Sequence, residues 1–100
     1  MRARFLKAAE LEVDEAVTYF DAQRDGLGDR FEQDLQNAVT FVTTHPLSGR
    51  AITDRVRKFR LRTFRYNIIY IIDVDEIVIV AVAHHRRRPG YWRARLATIR

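Results

Sequence analysis

The segment 83–92, AHHRRRPGYW, holds the densest group of chemically active side chains in the sequence. A histidine with an ordinary pKa exchanges protons near neutral pH, and arginine stabilises a charged transition state. His84 or His85 as acid or base, with Arg86 on the phosphate, could cleave a phosphodiester bond without a metal. The alternative is that one histidine bonds to the backbone while the arginines are simply solvated.

Neither a metal nor another cofactor is expected. Adjacent histidines on a strand point to opposite faces, so His84 and His85 should make a poor pair of ligands. The sequence has no cysteine, which removes thiolate metal sites and disulfides. It also lacks a phosphate-binding loop, a glycine-rich nucleotide fingerprint and the GxSxG element of serine hydrolases.

A second basic group alternates with apolar residues earlier in the chain. Lys58, Arg60 and Arg62 recur with a period of two, with Phe59 and Leu61 between them. On a strand the three cations would share one face at a spacing of ~6–7 Å. They would then bind along a nucleic-acid backbone or an acidic peptide. The alternative is that they form a solvated, protective sheet surface.

Charge is distributed unevenly along the sequence. Residues 1–50 contain six basic and nine acidic residues, whereas residues 51–100 contain twelve and four. Sixteen of the eighteen basic residues are arginine. Because the guanidinium is a planar fork that fits phosphate and carboxylate, this bias favours a nucleic acid or an acidic protein as partner. A solvated basic surface is the alternative.

The elements that position these residues can be predicted from periodicity. Residues 2–7 could form an edge strand, an amphipathic helix should run from Ala8 to about Asp25, and a second should end near His45, before Pro46. A loop over 46–54 should precede strands over 56–62, 66–72 and 77–83, and a short helix or tail should follow Pro89. Tyr91 and Trp92 would either contact a partner or close the core.

These elements predict an α+β fold in one domain, residues 1–100. An N-terminal helical hairpin would cover one face of a small, mainly antiparallel sheet in the order β-α-α-β-β-β, leaving the other face basic and open. The longest apolar run, Ile77 to Ala83, is far shorter than the ~20 residues of a membrane span. No secretory signal is visible, so we expect a cytoplasmic protein without a membrane partner.

Several segments, in their order and spacing, make the whole chain resemble the RelE/ParE superfamily of bacterial toxins. The likeness is greatest to the ParE-like, plasmid-stabilisation branch of these type II toxin–antitoxin systems. The segments are AVTYF at 16–20, GLGDRF at 26–31, HP at 45–46, LRTFRY at 61–66 and AVAH at 81–84, followed by Arg87, Pro89, Tyr91, Trp92 and Arg95.

The resemblance implies one of two activities. ParE-like toxins poison DNA gyrase and are not enzymes, whereas RelE-like toxins are metal-free endoribonucleases that cut mRNA on the ribosome. Nuclease roles would fall by position on Lys58, Arg60, Arg86 and Tyr91 (or Trp92), and His84 or His85 would join them as the acid or base. However, Asn67 stands where the RelE-like pattern has an arginine, which favours the ParE-like reading. A degenerate member that binds its antitoxin without being toxic is a third possibility.

The resemblance also implies a cognate antitoxin whose tail is acidic and apolar and lies between the helices and the sheet. The charge division and the arginine excess agree with such a partner. We therefore expect target or antitoxin contacts from the basic and aromatic positions, namely Lys58, Arg60, Arg62, Arg86, Arg87, Arg88, Tyr91, Trp92 and Arg95.

Overall fold

The computed structural model describes residues 1–99 and follows the predicted order of elements. A strand and two helices come first, then four strands and a short 3-10 helix. Their bounds are β1 Arg2–Phe5, α1 Lys7–Gln23, α2 Leu27–Thr44, β2 Arg50–Ala51, β3 Val56–Arg60, β4 Tyr66–Asp73, β5 Glu76–His84 and the 3-10 helix Arg93–Thr98. Within these residues, neither helix combines the length and apolarity needed to cross a bilayer.

A glycine turn makes α1 and α2 a hairpin. Gly26 adopts φ +84°, a left-handed conformation that costs glycine little, and so reverses the chain between the helices. Asp21 near the end of α1 accepts a hydrogen bond from the amide of Gly28 at 2.8 Å, which satisfies one free donor at the start of α2. A side chain at position 28 would collide with that carboxylate at 2.7 Å.

The five strands form one mixed sheet in the order β1-β5-β4-β3-β2. β1 pairs with β5 in parallel, and the other neighbouring strands are antiparallel. The predicted α+β architecture, with a helical hairpin beside a mainly antiparallel sheet, is therefore confirmed.

Each face of the sheet has its own apolar core. On one face, α1 and α2 pack on sheet residues such as Ile68, Tyr70 and Ile79. On the other, the C-terminal segment brings Trp92 and Ile99 against β3, β4 and β5. Trp92 is only 4% exposed, so it closes the core. This was one of the two alternatives predicted for it. The second face is thus partly covered, and the prediction of an entirely open basic face is wrong.

Two predictions near β3 also need correction. The expected loop over 46–54 contains the short strand β2, which a two-residue segment gives no periodic pattern to predict. β3 ends at Arg60, so Arg62 does not share its face. Instead Arg62 lines a groove beside α2, because the chain turns where Asp34 accepts hydrogen bonds from the amides of Thr63 and Phe64.

Candidate functional site

A basic cavity of about 430 Å³ lies at the open part of the second sheet face. Its lining includes five basic side chains, one of them a histidine, together with Tyr66 and Asn67. The five are Arg50, Lys58, Arg60, Arg65 and His85. Two residues predicted from alternation, Lys58 and Arg60, therefore meet one of the predicted histidines.

Strand register brings these cations together. Arg50 of β2 lies directly opposite Lys58 of β3, and Arg60 lies directly opposite Asn67 of β4. Lys58 and Arg60 are two residues apart on one strand and so share a face. The wall of the cavity is therefore built on paired strands rather than on loose loops.

The turn after β5 supplies the other side of the cavity. The backbone amide of His85 donates to the carbonyl of Arg65 at 2.9 Å, which ties the end of β5 to the segment before β4. The His84 and His85 rings lie 4.5 Å apart, so they do not point to opposite faces as predicted. The reason is that β5 ends at His84, and the alternation of a strand does not extend to His85.

The surroundings of His84 favour its neutral form. The backbone amide of Arg86 donates to Nδ1 of His84 at 3.1 Å, which requires that nitrogen to carry no proton. Burial lowers the pKa of His84 below its usual 6.5, and the positive charges of His85, Arg86 and Arg65 lower it further. A neutral imidazole could accept a proton at neutral pH.

Glu12 of α1 holds the C-terminal segment through a compact polar cluster. Its carboxylate accepts hydrogen bonds from the Tyr91 hydroxyl at 2.5 Å, from the Val82 amide at 3.0 Å and from both terminal nitrogens of Arg95 at 2.8 and 3.1 Å. Arg95 also donates to the carbonyl of Val80. Burial, followed by the hydrogen bond to Glu12, raises the pKa of Tyr91 far above its usual 10.

The remaining predicted residues lie between these two regions. Arg86, Arg87 and Arg88 are exposed in the turn after β5. The guanidinium of Arg87 lies 3.8 Å from the centre of the Tyr91 ring, a cation–π contact. Neither Arg86 nor Tyr91 lines the basic cavity. A neighbouring cavity of about 210 Å³ is lined by Lys58, His84, His85 and Tyr91, so four of the six candidate nuclease residues share it, without Arg60 and Arg86.

The comparisons with known proteins identify the family. The family model for the ParE toxin of the type II toxin-antitoxin system, parDE, matches residues 3–89. This chain belongs to the ParE toxin family. It is accordingly a toxin of a type II toxin–antitoxin system.

A solved structure has the same fold as this ParE-family toxin. It is titled as a chromosomal ParDE TA system from P. aeruginosa, and it superposes with a TM-score of 0.74 at 16% sequence identity. The match covers 84% of this chain and 95% of that one. No curated protein matches the chain.

The toxin also has a partly apolar groove between α2 and β3. A cavity of about 250 Å³ there is lined by seven residues, of which two are aromatic and two are arginine. Phe41 and Phe59 stack with ring centres 5.5 Å apart, and Phe41 is 46% exposed. Arg62 lines this groove, and Arg60 lines both the groove and the basic cavity.

Sequence reasoning missed several residues that build these sites. Arg50 fell in a predicted loop, and Arg65 was noted only as part of a family motif. Their only sequence signal was the arginine excess of the second half. Glu12 and Asp34 looked like ordinary helix acids, and nothing in the spacing distinguished them from their exposed neighbours.

In residues 1–99 no cluster of three or more His, Cys, Asp or Glu side chains could hold a metal.

Proposed function

We propose that this toxin acts by binding DNA gyrase in the cytoplasm and is neutralised by a cognate antitoxin. In this proposal residues 1–100 form a single toxin domain, and the protein is a binding inhibitor rather than an enzyme. Membership of the ParE family supports this choice over the RelE-like nuclease.

The proposal rests on the hydrogen bond that Tyr91 forms and on its raised pKa. A nuclease would need the hydroxyl at this position close to the scissile phosphate and free to exchange a proton. Here the hydroxyl donates to Glu12, and the pKa of Tyr91 is far above neutral pH. Arg95 is occupied by the same carboxylate. These contacts support a structural role for Tyr91 and Arg95, which fasten the C-terminal segment.

The strand position that is arginine in the RelE-like pattern gives further support. Asn67 occupies it, directly opposite Arg60 across the β3–β4 pair. An amide is uncharged and cannot neutralise the negative charge that develops on a phosphate during cleavage. The cavity thus has cations suitable for binding but lacks the positive charge of an arginine at position 67.

The α2–β3 groove is the proposed seat of the antitoxin tail. Phe41 and Phe59 offer apolar contact, and Arg60 and Arg62 offer charge to an acidic segment. The large groove between α1, α2 and β1 is a poorer candidate, because its rim contains four acidic residues, namely Glu10, Asp14, Asp29 and Glu32. In the proposal, gyrase meets the exposed arginines 86–88.

The competing function is a metal-free ribosome-dependent endoribonuclease. One observation favours it: Lys58, Arg60 and His85 line one cavity, with the neutral ring of His84 beside His85. A histidine and two cations are a workable minimum for phosphodiester cleavage. A non-toxic protein that only binds antitoxin is the remaining alternative.

Pulse labelling in a bacterium separates the three functions. The toxin is induced briefly, and incorporation of labelled thymidine and methionine is followed over the first minutes. We expect DNA synthesis to stop first. An earlier stop of protein synthesis would overturn the proposal in favour of the nuclease, and continued synthesis of both would favour the non-toxic protein.

A triple variant and a purified system sharpen the result. Lys58→Ala/Arg60→Ala/Arg86→Ala should abolish any ribosome-dependent mRNA cleavage, whereas Tyr91→Phe should leave toxicity unchanged because its ring still packs. With purified gyrase, the wild-type toxin should inhibit supercoiling, and a co-purified antitoxin should relieve the inhibition. The Phe41→Ala variant should weaken that relief without changing the inhibition itself.

A further inference from the structure

The arginines and the lysine of the basic cavity have no anionic partner among residues 1–99. These four, Arg50, Lys58, Arg60 and Arg65, form no salt bridge in the part of the chain that the structure describes. The two salt bridges among residues 1–99, Arg4 with Glu76 and Arg95 with Glu12, both lie outside the cavity. The cavity is therefore a concave site with an uncompensated positive charge.

Strand register keeps two of these cations in an unfavourable position. Arg50 and Lys58 are direct cross-strand partners, and like charges placed opposite each other destabilise a sheet. The pair also lies at the edge of the sheet, where the strands end in solvent. An external anion that bridges both side chains would remove this repulsion.

Phosphate fits the cavity better than the carboxylates of a peptide do. The lining offers guanidinium and ammonium groups, an amide and an imidazole, and it includes no aliphatic side chain. The phenylalanines Phe41 and Phe59, which a peptide with apolar side chains would use, line the separate α2–β3 groove. Arginine also binds phosphate oxygens in a bidentate, charge-assisted manner.

The aromatic residues near the cavity already contact other groups of the protein. Tyr66 packs against Phe20 and Phe31, with ring centres 5.9 and 4.9 Å away. Trp92 is buried, and Tyr91 is bound to Glu12. Recognition of single strands depends on such stacking, whereas a duplex is held chiefly through its phosphates. The cavity therefore favours the backbone of a duplex.

We propose that the cavity lined by Arg50, Lys58, Arg60 and Arg65 binds backbone phosphates of duplex DNA. The toxin would then contact DNA in the complex that gyrase forms with it, and not gyrase alone. This role in poisoning rests on the proposed gyrase function, but phosphate binding is a property of the toxin that can be measured without gyrase.

Fluorescence anisotropy of the purified toxin tests the proposal. The probes are a labelled 20-base-pair DNA duplex, a single-stranded RNA of the same sequence, and a labelled poly-glutamate peptide. We expect the duplex to bind most tightly. Arg50→Ala/Lys58→Ala should weaken its binding about tenfold and reduce the slope of log K against log salt by about 2.

A matched variant controls for net charge. Arg2→Ala/Arg4→Ala also removes two positive charges, but from β1, at the opposite edge of the sheet. It should leave duplex binding within about twofold of the wild type. Urea unfolding of both variants checks that each is folded at the temperature of the assay.

Three results would overturn the proposal. These are equal effects of the two double variants, tighter binding of the RNA than of the duplex, or tighter binding of the poly-glutamate peptide. A gyrase assay run in parallel separates the two proposals. If the wild-type toxin binds duplex but does not inhibit supercoiling, the gyrase function fails and the phosphate site stands. If the Arg50→Ala/Lys58→Ala variant inhibits gyrase fully despite losing duplex binding, the role of the site in poisoning fails instead.

Discussion

Glu12 and Arg95 stand 83 positions apart in the chain and form a two-contact ion pair, at 2.8 Å and 3.1 Å. The pairing of β5 with β1 ends at Ile79. Beyond that residue, Glu12 and Arg95 provide hydrogen-bond partners for backbone groups of β5. Glu12 accepts from the amide of Val82, and Arg95 donates to the carbonyl of Val80. The pair thus caps an exposed strand edge that could otherwise pair with another chain.

Removing Glu12 should destabilise the toxin. In Glu12→Ala the Val82 amide loses its acceptor, and Arg95 loses its counter-charge in a largely buried place. We expect a loss of about 2–4 kcal/mol in the free energy of unfolding, measured with urea. Glu15→Ala, on the exposed side of the same helix, should change it by less than about 0.5 kcal/mol. Equal losses in the two variants would argue against the cluster.

Tyr91 should make stability depend on alkaline pH. Its pKa in the folded protein is raised above the value of about 10 in the unfolded chain. The unfolded chain therefore loses the proton first, so this contribution is complete below pH 10 and falls as the pH rises beyond it. The urea midpoint of the wild type should decline from pH 9 to 11, and that of Tyr91→Phe should decline less. Tyr19→Phe, which alters an exposed side chain, should keep the wild-type slope.

The contribution of His84 to stability should change with pH in the opposite direction, and it should do so in the acid range. Its pKa in the folded protein lies below the unfolded value of 6.5, so the contribution to stability is present above pH 6.5 and is lost as the pH falls. In an NMR titration the His84 ring should titrate below 6.5. Arg86→Gln should move the midpoint upward, because it removes a nearby positive charge and keeps the backbone amide. A midpoint above 6.5 in the wild type would contradict the environment described for this ring.

Asp34 should control the turn that leads into β4. Its Oδ2 accepts from the amides of Thr63 at 2.9 Å and Phe64 at 2.8 Å, and the residue is only 8% exposed. Asp34→Ala should cost about 2–3 kcal/mol, because both donors lose their acceptor. Asp34→Asn keeps an acceptor oxygen and should cost less, and Asn37→Ala on the exposed side of α2 should cost little. A loss as large in Asp34→Asn as in Asp34→Ala would show that charge, not the acceptor, matters there.

The sequence predicted the regular elements well because their signals are local. The apolar spacing of α1 and α2, the glycines at 26 and 28 and the proline at 46 act within a few residues, and they mark both helices closely. The long strands β4 and β5 were equally evident, because their β-branched residues form continuous runs. The two-residue strand β2 was missed, since it is defined only by its pairing with β3.

By itself, the sequence determined the α+β class, the family resemblance and the basic character of the second half. Tertiary structure alone decided which charged residues meet: that Arg50 and Arg65 join Lys58 and His85, that Arg62 turns toward α2, and that Glu12 binds Tyr91 and Arg95. Periodicity assigns a residue to a face of its own element. The contacts that form a site join residues far apart in the chain, and they depend on strand register and on where each strand ends.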